Sequence, residues 1–147
     1  MEDFKMAIRN ASAVWEGNLA AGKGSMKLGS GAYEGPFTFA SRFENGKGTN
    51  PEELVGAAHA GCFSMAFSHG LAEAGFVPTK VSTTAKVHLD KVATGFKITL
   101  IELDCDAVVP GIDEAKFQQI AEGTKTGCPV SQALAAVEIK LNARLLK

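Results

Sequence analysis

Polar and apolar positions alternate most cleanly after residue 80. Val81, Thr83, Ala85, Val87 and Leu89 take one phase, and Ser82, Thr84, Lys86, His88 and Asp90 take the other. A period of two predicts a half-buried strand. Phe96, Ile98 and Leu100 then hold one phase, while Ile101, Leu103, Cys105 and Ala107 hold the opposite one. That break predicts a long strand that contains a bulge or buries both faces. Residues 137–145 alternate again, with Glu138, Lys140, Asn142 and Arg144 outward. Shorter runs at 11–15, 25–28 and 36–41, separated by turn-forming glycines, predict a small meander ahead of them.

Between these strand groups, residues 51–74 read as one long helix. Asn50 is placed to cap it, Pro51 suits its first position, Glu53 completes a capping-box-like spacing, and Gly75 ends it. Its apolar run is broken by His59, Ser64, Ser68 and His69, so it reads as a buried helix and not as a membrane span. Gly56, Ala57, Ala58, Ala60 and Gly61 leave several of its faces nearly bare. Glycine inside a helix costs about 1 kcal/mol against alanine, so a close approach by another helix or strand is expected, including one from a second subunit. A further helix runs from Asp113 to Gly127, and another opens at Pro129. Strands on both sides of the helices predict an α+β fold, with mostly antiparallel sheet covering a helical layer.

A length of 147 residues fits a single domain, 1–147, with one core. The formal net charge of -1 and pI of about 6.3 offer no basic footprint for nucleic acid or an anionic membrane. A small neutral ligand or self-association fits better. The first thirty residues lack a basic start followed by an apolar core, which makes a cytoplasmic protein the expectation and Asn10-Ala11-Ser12 a chance glycosylation match. In that compartment three cysteines stay reduced, and a disulfide between them is expected to be transient.

Two of those cysteines sit in contrasting settings. Cys62 lies deep in the long helix, beyond the reach of its dipole, where an apolar surrounding raises a thiol's pKa unless a cation stands nearby. Arg42, set among Phe39, Ala40, Ser41 and Phe43 at the edge of an expected strand, is the best cation for it. The carboxylate that would hold the guanidinium is Glu52 or Glu53. Taken singly, each has a plainer reading: a core cysteine, a solvated edge charge, and first-turn acids that favour the dipole. Cys128 stands between Gly127 and Pro129, at the mouth of a helix, a setting that favours a thiolate suited to exchange. The two are too far apart for a Cys-x-x-Cys motif, so only tertiary folding can pair them. Cys105, on a strand, reads as core. His59, Cys62 and His69 can share a broad helical face, which raises zinc or a Cys-His nucleophile as a third reading, but no second ligand pair supports it. Gly22-Lys23-Gly24 and Gly46-Lys47-Gly48 lack the Walker spacing and read as turns.

The stretch from Arg42-Phe43-Glu44 through Gly48-Thr49-Asn50-Pro51-Glu52-Glu53-Leu54 to Ala57-Ala58-His59-Ala60-Gly61-Cys62-Phe63-Ser64-Met65 strongly resembles the OsmC branch of the OsmC/Ohr family. Trp15-Glu16-Gly17, Leu89-Asp90-Lys91-Val92, Val109-Pro110-Gly111-Ile112-Asp113 and Gly127-Cys128-Pro129-Val130-Ser131-Gln132 match in order, so the resemblance spans nearly the whole chain. It implies mostly antiparallel sheets wrapped around long central helices in an intertwined homodimer. It also implies a thiol-dependent peroxidase that reduces organic hydroperoxides, and hydrogen peroxide more weakly, without metal, flavin or other cofactor. By position Cys62 matches the peroxidatic cysteine, Cys128 the resolving cysteine, Arg42 the activating arginine and Glu52 its carboxylate partner. The reductant implied is a dithiol, dihydrolipoamide or a lipoylated protein. Cys105 matches no family role. Phe37, Phe39, Phe43, Phe63, Met65 and Phe67 are candidates for an apolar entrance. The alternative is a non-catalytic thiol redox sensor or binding module of the same fold.

Overall fold

The computed structural model describes residues 6–147, which form two compact units, one inside Met1–Pro51 and one spanning Glu52–Lys147. The first is the expected meander. Strands β1 (Ala11–Glu16), β2 (Lys23–Leu28) and β3 (Glu34–Phe37) pair antiparallel in chain order, with Trp15 opposite Gly24 and Gly24 opposite Phe37. A side chain on Gly24 would meet both aromatic rings, so glycine there lets Trp15 and Phe37 pack at 5.2 Å between centroids. The third strand is shorter than expected. It stops at Phe37 because Thr38 and Ser41 form a reciprocal capping box, and Phe39–Phe43 becomes a short helix, α1. Arg42 therefore lies on a helix and not on a strand edge. Buried Ser41 also donates to the Thr49 carbonyl, and Asn50 donates to the Ser41 carbonyl, tying the loop after α1 back onto it. Gly48, at φ +115°, makes that return possible with its backbone against the Pro36 carbonyl.

The second unit is built on helix α2 (Pro51–Glu73), close to its expected bounds, with Gly75 at φ +96° just beyond it. Strands β4 (Lys80–Val92) and β5 (Gly95–Val108) form a long antiparallel ladder. The phase break in β5 is a bulge: His88 pairs with Leu100 and Leu89 with Ile98, leaving Thr99 as the extra residue. That insertion lets Ile98 pack against the same core as Ile101, Leu103 and Cys105. Helices α3 (Glu114–Gly127, capped by Asp113) and α4 (Pro129–Ala133) then carry the chain back, so that β6 (Glu138–Leu146) pairs parallel to β5. The sheet is mixed for that reason, while every other strand pairing among the described residues is antiparallel.

Phe63, Phe67 and Leu71, spaced four apart on α2, are fully buried and form the centre of this core. The Phe67 ring packs tilted at 5.5 Å from Phe63 and at 5.3 Å from Phe117 of α3, between centroids. Substitution Phe67→Ala should destabilise the protein by about 3–5 kcal/mol through lost transfer energy and a residual cavity. Urea unfolding at equilibrium measures this, and a loss below about 1 kcal/mol would show that the site is not close-packed.

The bare faces of α2 divide. Gly56 admits Val87 and Gly70 admits Ile120, each within about 3.3 Å of where a Cβ would stand. Gly61 opens on free space, beside exposed Ala57 and Ala58 and a Met65 that is 78% exposed. Among the described residues no helix is long and apolar enough to cross a membrane.

Candidate active site

Cysteine, proline, valine and serine at 128–131 build a helix mouth in which each backbone donor has a use. Cys128 is the N-cap of α4, with extended backbone, and Pro129 takes the first position, where its missing N–H costs nothing. The next two amides are free of intrahelical partners by geometry. Val130 N–H points at Cys62 Sγ, 3.5 Å away, and Ser131 N–H points at Cys128 Sγ, 3.4 Å away. One turn of helix thus divides its amides between two sulfurs. The two sulfurs are neighbours, and no disulfide joins them.

Cys62 is partly buried and Cys128 is buried. Burial pushes the Cys62 thiol up from its ordinary pKa, the Val130 amide opposes this, and the neighbouring Cys128 adds to the rise. A thiol so placed needs a cation to ionise readily. Cys105 is fully buried in β5, where burial again pushes its thiol up, in keeping with a core role.

The other expected residues fall as follows. Glu52 is buried in the first turn of α2, while Glu53 beside it is exposed, which separates two acids that the sequence left equivalent. Arg42 lies in the first unit, its guanidinium 5.4 Å from the centre of the Phe43 ring. With Trp15, Leu19, Phe37, Thr38, Phe39 and Phe43 it lines an open, mainly apolar pocket of about 260 Å³. The expected entrance is therefore split: Phe37, Phe39 and Phe43 line this pocket, Phe63 and Phe67 are core, and Met65 is on the surface. His69 is exposed and His59 is fully buried, so the broad face expected for His59, Cys62 and His69 is not shared.

Sequence reasoning missed Ser131. Its hydroxyl accepts from the Cys128 thiol at 3.1 Å and lies 2.7 Å from His59 Nε2. The only signal was its place three residues after an N-cap cysteine.

Comparison with known proteins now gives this geometry a context. Residues 44–142 match the model of a family described as OsmC-like protein. The chain belongs to the OsmC-like family. It is 54% identical over 138 residues to peroxiredoxin OsmC of Escherichia coli (strain K12), a likeness covering 93% of this chain and 96% of that one. An organic hydroperoxide resistance protein of Xanthomonas axonopodis pv. citri (strain 306) is 36% identical over 89 residues, covering 60% of this chain and 61% of the relative. Among solved structures, organic hydroperoxide resistance protein OhrB of Bacillus subtilis superposes with a TM-score of 0.69 at 25% identity, covering 92% of this chain and 98% of that one. The α+β architecture is the fold of this family, and the chain is a peroxidase.

Proposed function

We propose that this peroxidase reduces organic hydroperoxides through Cys62, with Cys128 as the resolving thiol, and that residues 1–147 act as a single OsmC-like domain. The observation that carries this reading is that the two sulfurs are neighbours, each with its own amide from one helix mouth. The Cys62 thiolate attacks one peroxide oxygen, the O–O bond breaks, and the alkoxide takes a proton and leaves as an alcohol. Cys62 is left as a sulfenic acid. Cys128 attacks that sulfur, releasing hydroxide, which becomes water, and forms the Cys62–Cys128 disulfide. An external dithiol then restores both thiols by exchange. Dihydrolipoamide or a lipoylated protein is the reductant proposed.

Arg42 is the proposed cation. It carries a fixed charge, and the Cys62 thiol, raised by burial, needs one. Glu52 is its proposed carboxylate, favoured over Glu53 because it is buried. The apolar pocket beside Arg42 suits the carbon skeleton of an organic substrate better than it suits hydrogen peroxide. The exposed stripe of Ala57, Ala58, Gly61 and Met65 supports the proposed homodimer, in a cytoplasmic setting that keeps the thiols reduced.

The test measures the mass of the reduced protein by light scattering, where two chains are expected, and mixes that protein with cumene hydroperoxide and dihydrolipoamide. Turnover with a Cys62–Cys128 disulfide mapped by mass spectrometry is expected. Disulfide formation without turnover would instead favour a redox sensor.

A further inference from the structure

Buried histidines are usually fully hydrogen-bonded, because an imidazole nitrogen left short of a partner loses its hydration without compensation. His59 is fully buried, and its Nδ1 has no partner among the described residues. Its Nε2 is engaged with Ser131 Oγ at 2.7 Å, and Ser131 is in turn in contact with Cys128 Sγ at 3.1 Å. An apolar side chain would fill the same space at lower cost. The imidazole is held at the end of a hydrogen-bond chain that leads to a reacting sulfur.

The donors along this chain are determined by counting. Ser131 Oγ has one hydrogen, and if it accepts from the Cys128 thiol that hydrogen is free to be donated to His59 Nε2. Nε2 then acts as acceptor and Nδ1 carries the ring proton. Burial pushes the His59 pKa down from its ordinary value, which keeps the ring neutral and able to accept. Nothing charged contributes to that shift. Ala85 and Val87 of β4 pack on α2 at Gly56, three residues before His59. α4 presents Ser131, the partner of His59 Nε2. On α2 itself Cys62 lies one turn on and Glu52 two turns back.

Resting on the peroxidase reading above, we propose that Ser131 and His59 form a proton relay for Cys128, with Ser131 touching the reacting thiol and His59 acting through it as a positioning residue. As Cys128 Sγ bonds to the Cys62 sulfur, the thiol proton passes to Ser131 Oγ and the serine proton passes to His59 Nε2. The S–O bond of the sulfenic acid breaks, and the departing hydroxide takes up a proton to become water. The imidazolium then returns its proton to solvent. When an external dithiol attacks the disulfide, the relay runs in reverse and reprotonates Cys128 as it leaves. The relay gives the proton of the buried Cys128 thiol a path away from the sulfur as the disulfide forms.

The test separates the two steps by rapid mixing of reduced protein with cumene hydroperoxide. It uses Ser131→Ala, Ser131→Thr and His59→Gln, each checked for folding by thermal melting. In Ser131→Ala and His59→Gln, disulfide formation should slow about 10²-fold, by a factor at least ten times larger than any change in Cys62 oxidation. Dimedone should then trap more sulfenic acid. Ser131→Thr keeps the hydroxyl and should recover most of the rate, even if His59→Gln fails to fold. In the wild type the resolving rate should level off above the imidazole's depressed range. In the two defective variants it should keep rising with pH, because solvent hydroxide must then take the thiol proton, so that the gap closes at high pH. The same variants, with the disulfide made by diamide, should be reduced more slowly by dithiothreitol near pH 7, a readout that needs no peroxide. Wild-type protein that leaves the peroxide intact would overturn the peroxidase reading of these thiols. Wild-type turnover with unchanged resolution in the variants, or equal loss in Ser131→Thr and Ser131→Ala, would overturn the relay and leave that reading standing.

Discussion

Exchange of Cys62 for serine should abolish turnover of cumene hydroperoxide, a fall of at least roughly 10³-fold, because a hydroxyl supplies no thiolate at neutral pH. Cys128→Ser should behave differently. Cys62 and its Val130 amide remain in place, so about one equivalent of peroxide should be consumed before the reaction stalls at the sulfenic acid. Without a resolving thiol that acid should proceed to sulfinic acid under excess peroxide. Cys105→Ser should leave turnover within a few-fold of wild type, since the Cys105 thiol is fully buried and pushed up by burial. Peroxide consumption by the three variants, with mass mapping of each sulfur, checks the set. Substantial turnover in Cys62→Ser would move the nucleophile elsewhere, with Cys105 the first suspect.

How far these roles were legible in the sequence depended on whether the governing interactions were local. The β4 ladder and the bulge at Thr99 were visible because period-two patterning exposes a change of phase directly. The end of β3 was not. Residues 36–41 read as a strand by composition, but Thr38 and Ser41 satisfy each other's backbone and begin a helix, a capping box with serine where glutamate or glutamine is usual. The parallel β6 was hidden for another reason: residues 137–145 alternate the same way whichever direction the neighbouring strand runs, and only the path through α3 and α4 sets it.

The chemistry followed the same rule. Gly127-Cys128-Pro129 announces an N-cap thiol, and the structure has it. That the thiol reaches Cys62 is a tertiary fact, implied beforehand by family resemblance and not by spacing. His59 was weighed against the wrong partners, Cys62 and His69 on its own helix, because its actual partner Ser131 is 72 positions away. Six aromatic and methionine side chains looked alike as candidates for an entrance. Burial sorted them, since a phenylalanine that lines a pocket and one that fills a core share one composition and differ only in what packs on them.

Arg42→Ala should lower the rate of Cys62 oxidation by about 10- to 10³-fold at pH 7, the range expected when a thiolate loses a cation worth one to three pKa units. The direction follows from the charges. A guanidinium beside a thiol would favour the anionic form and draw the pKa down, against the burial that pushes Cys62 up. Removing it lets burial prevail, so less thiolate is present at neutral pH, and the rate profile should move to higher pH by the same interval. Above both midpoints the thiolate deficit disappears. Any deficit that persists there measures a second role, polarisation of the peroxide oxygen by the arginine's donor fork. Arg42→Lys should recover part of the ionisation effect, because it restores a charge, and little of the second, because an ammonium lacks the planar fork. Rapid-mixing rates across pH for the three proteins separate these contributions. An alanine variant with the wild-type rate at pH 7 and an unmoved midpoint would falsify the assignment of Arg42 as the activating cation.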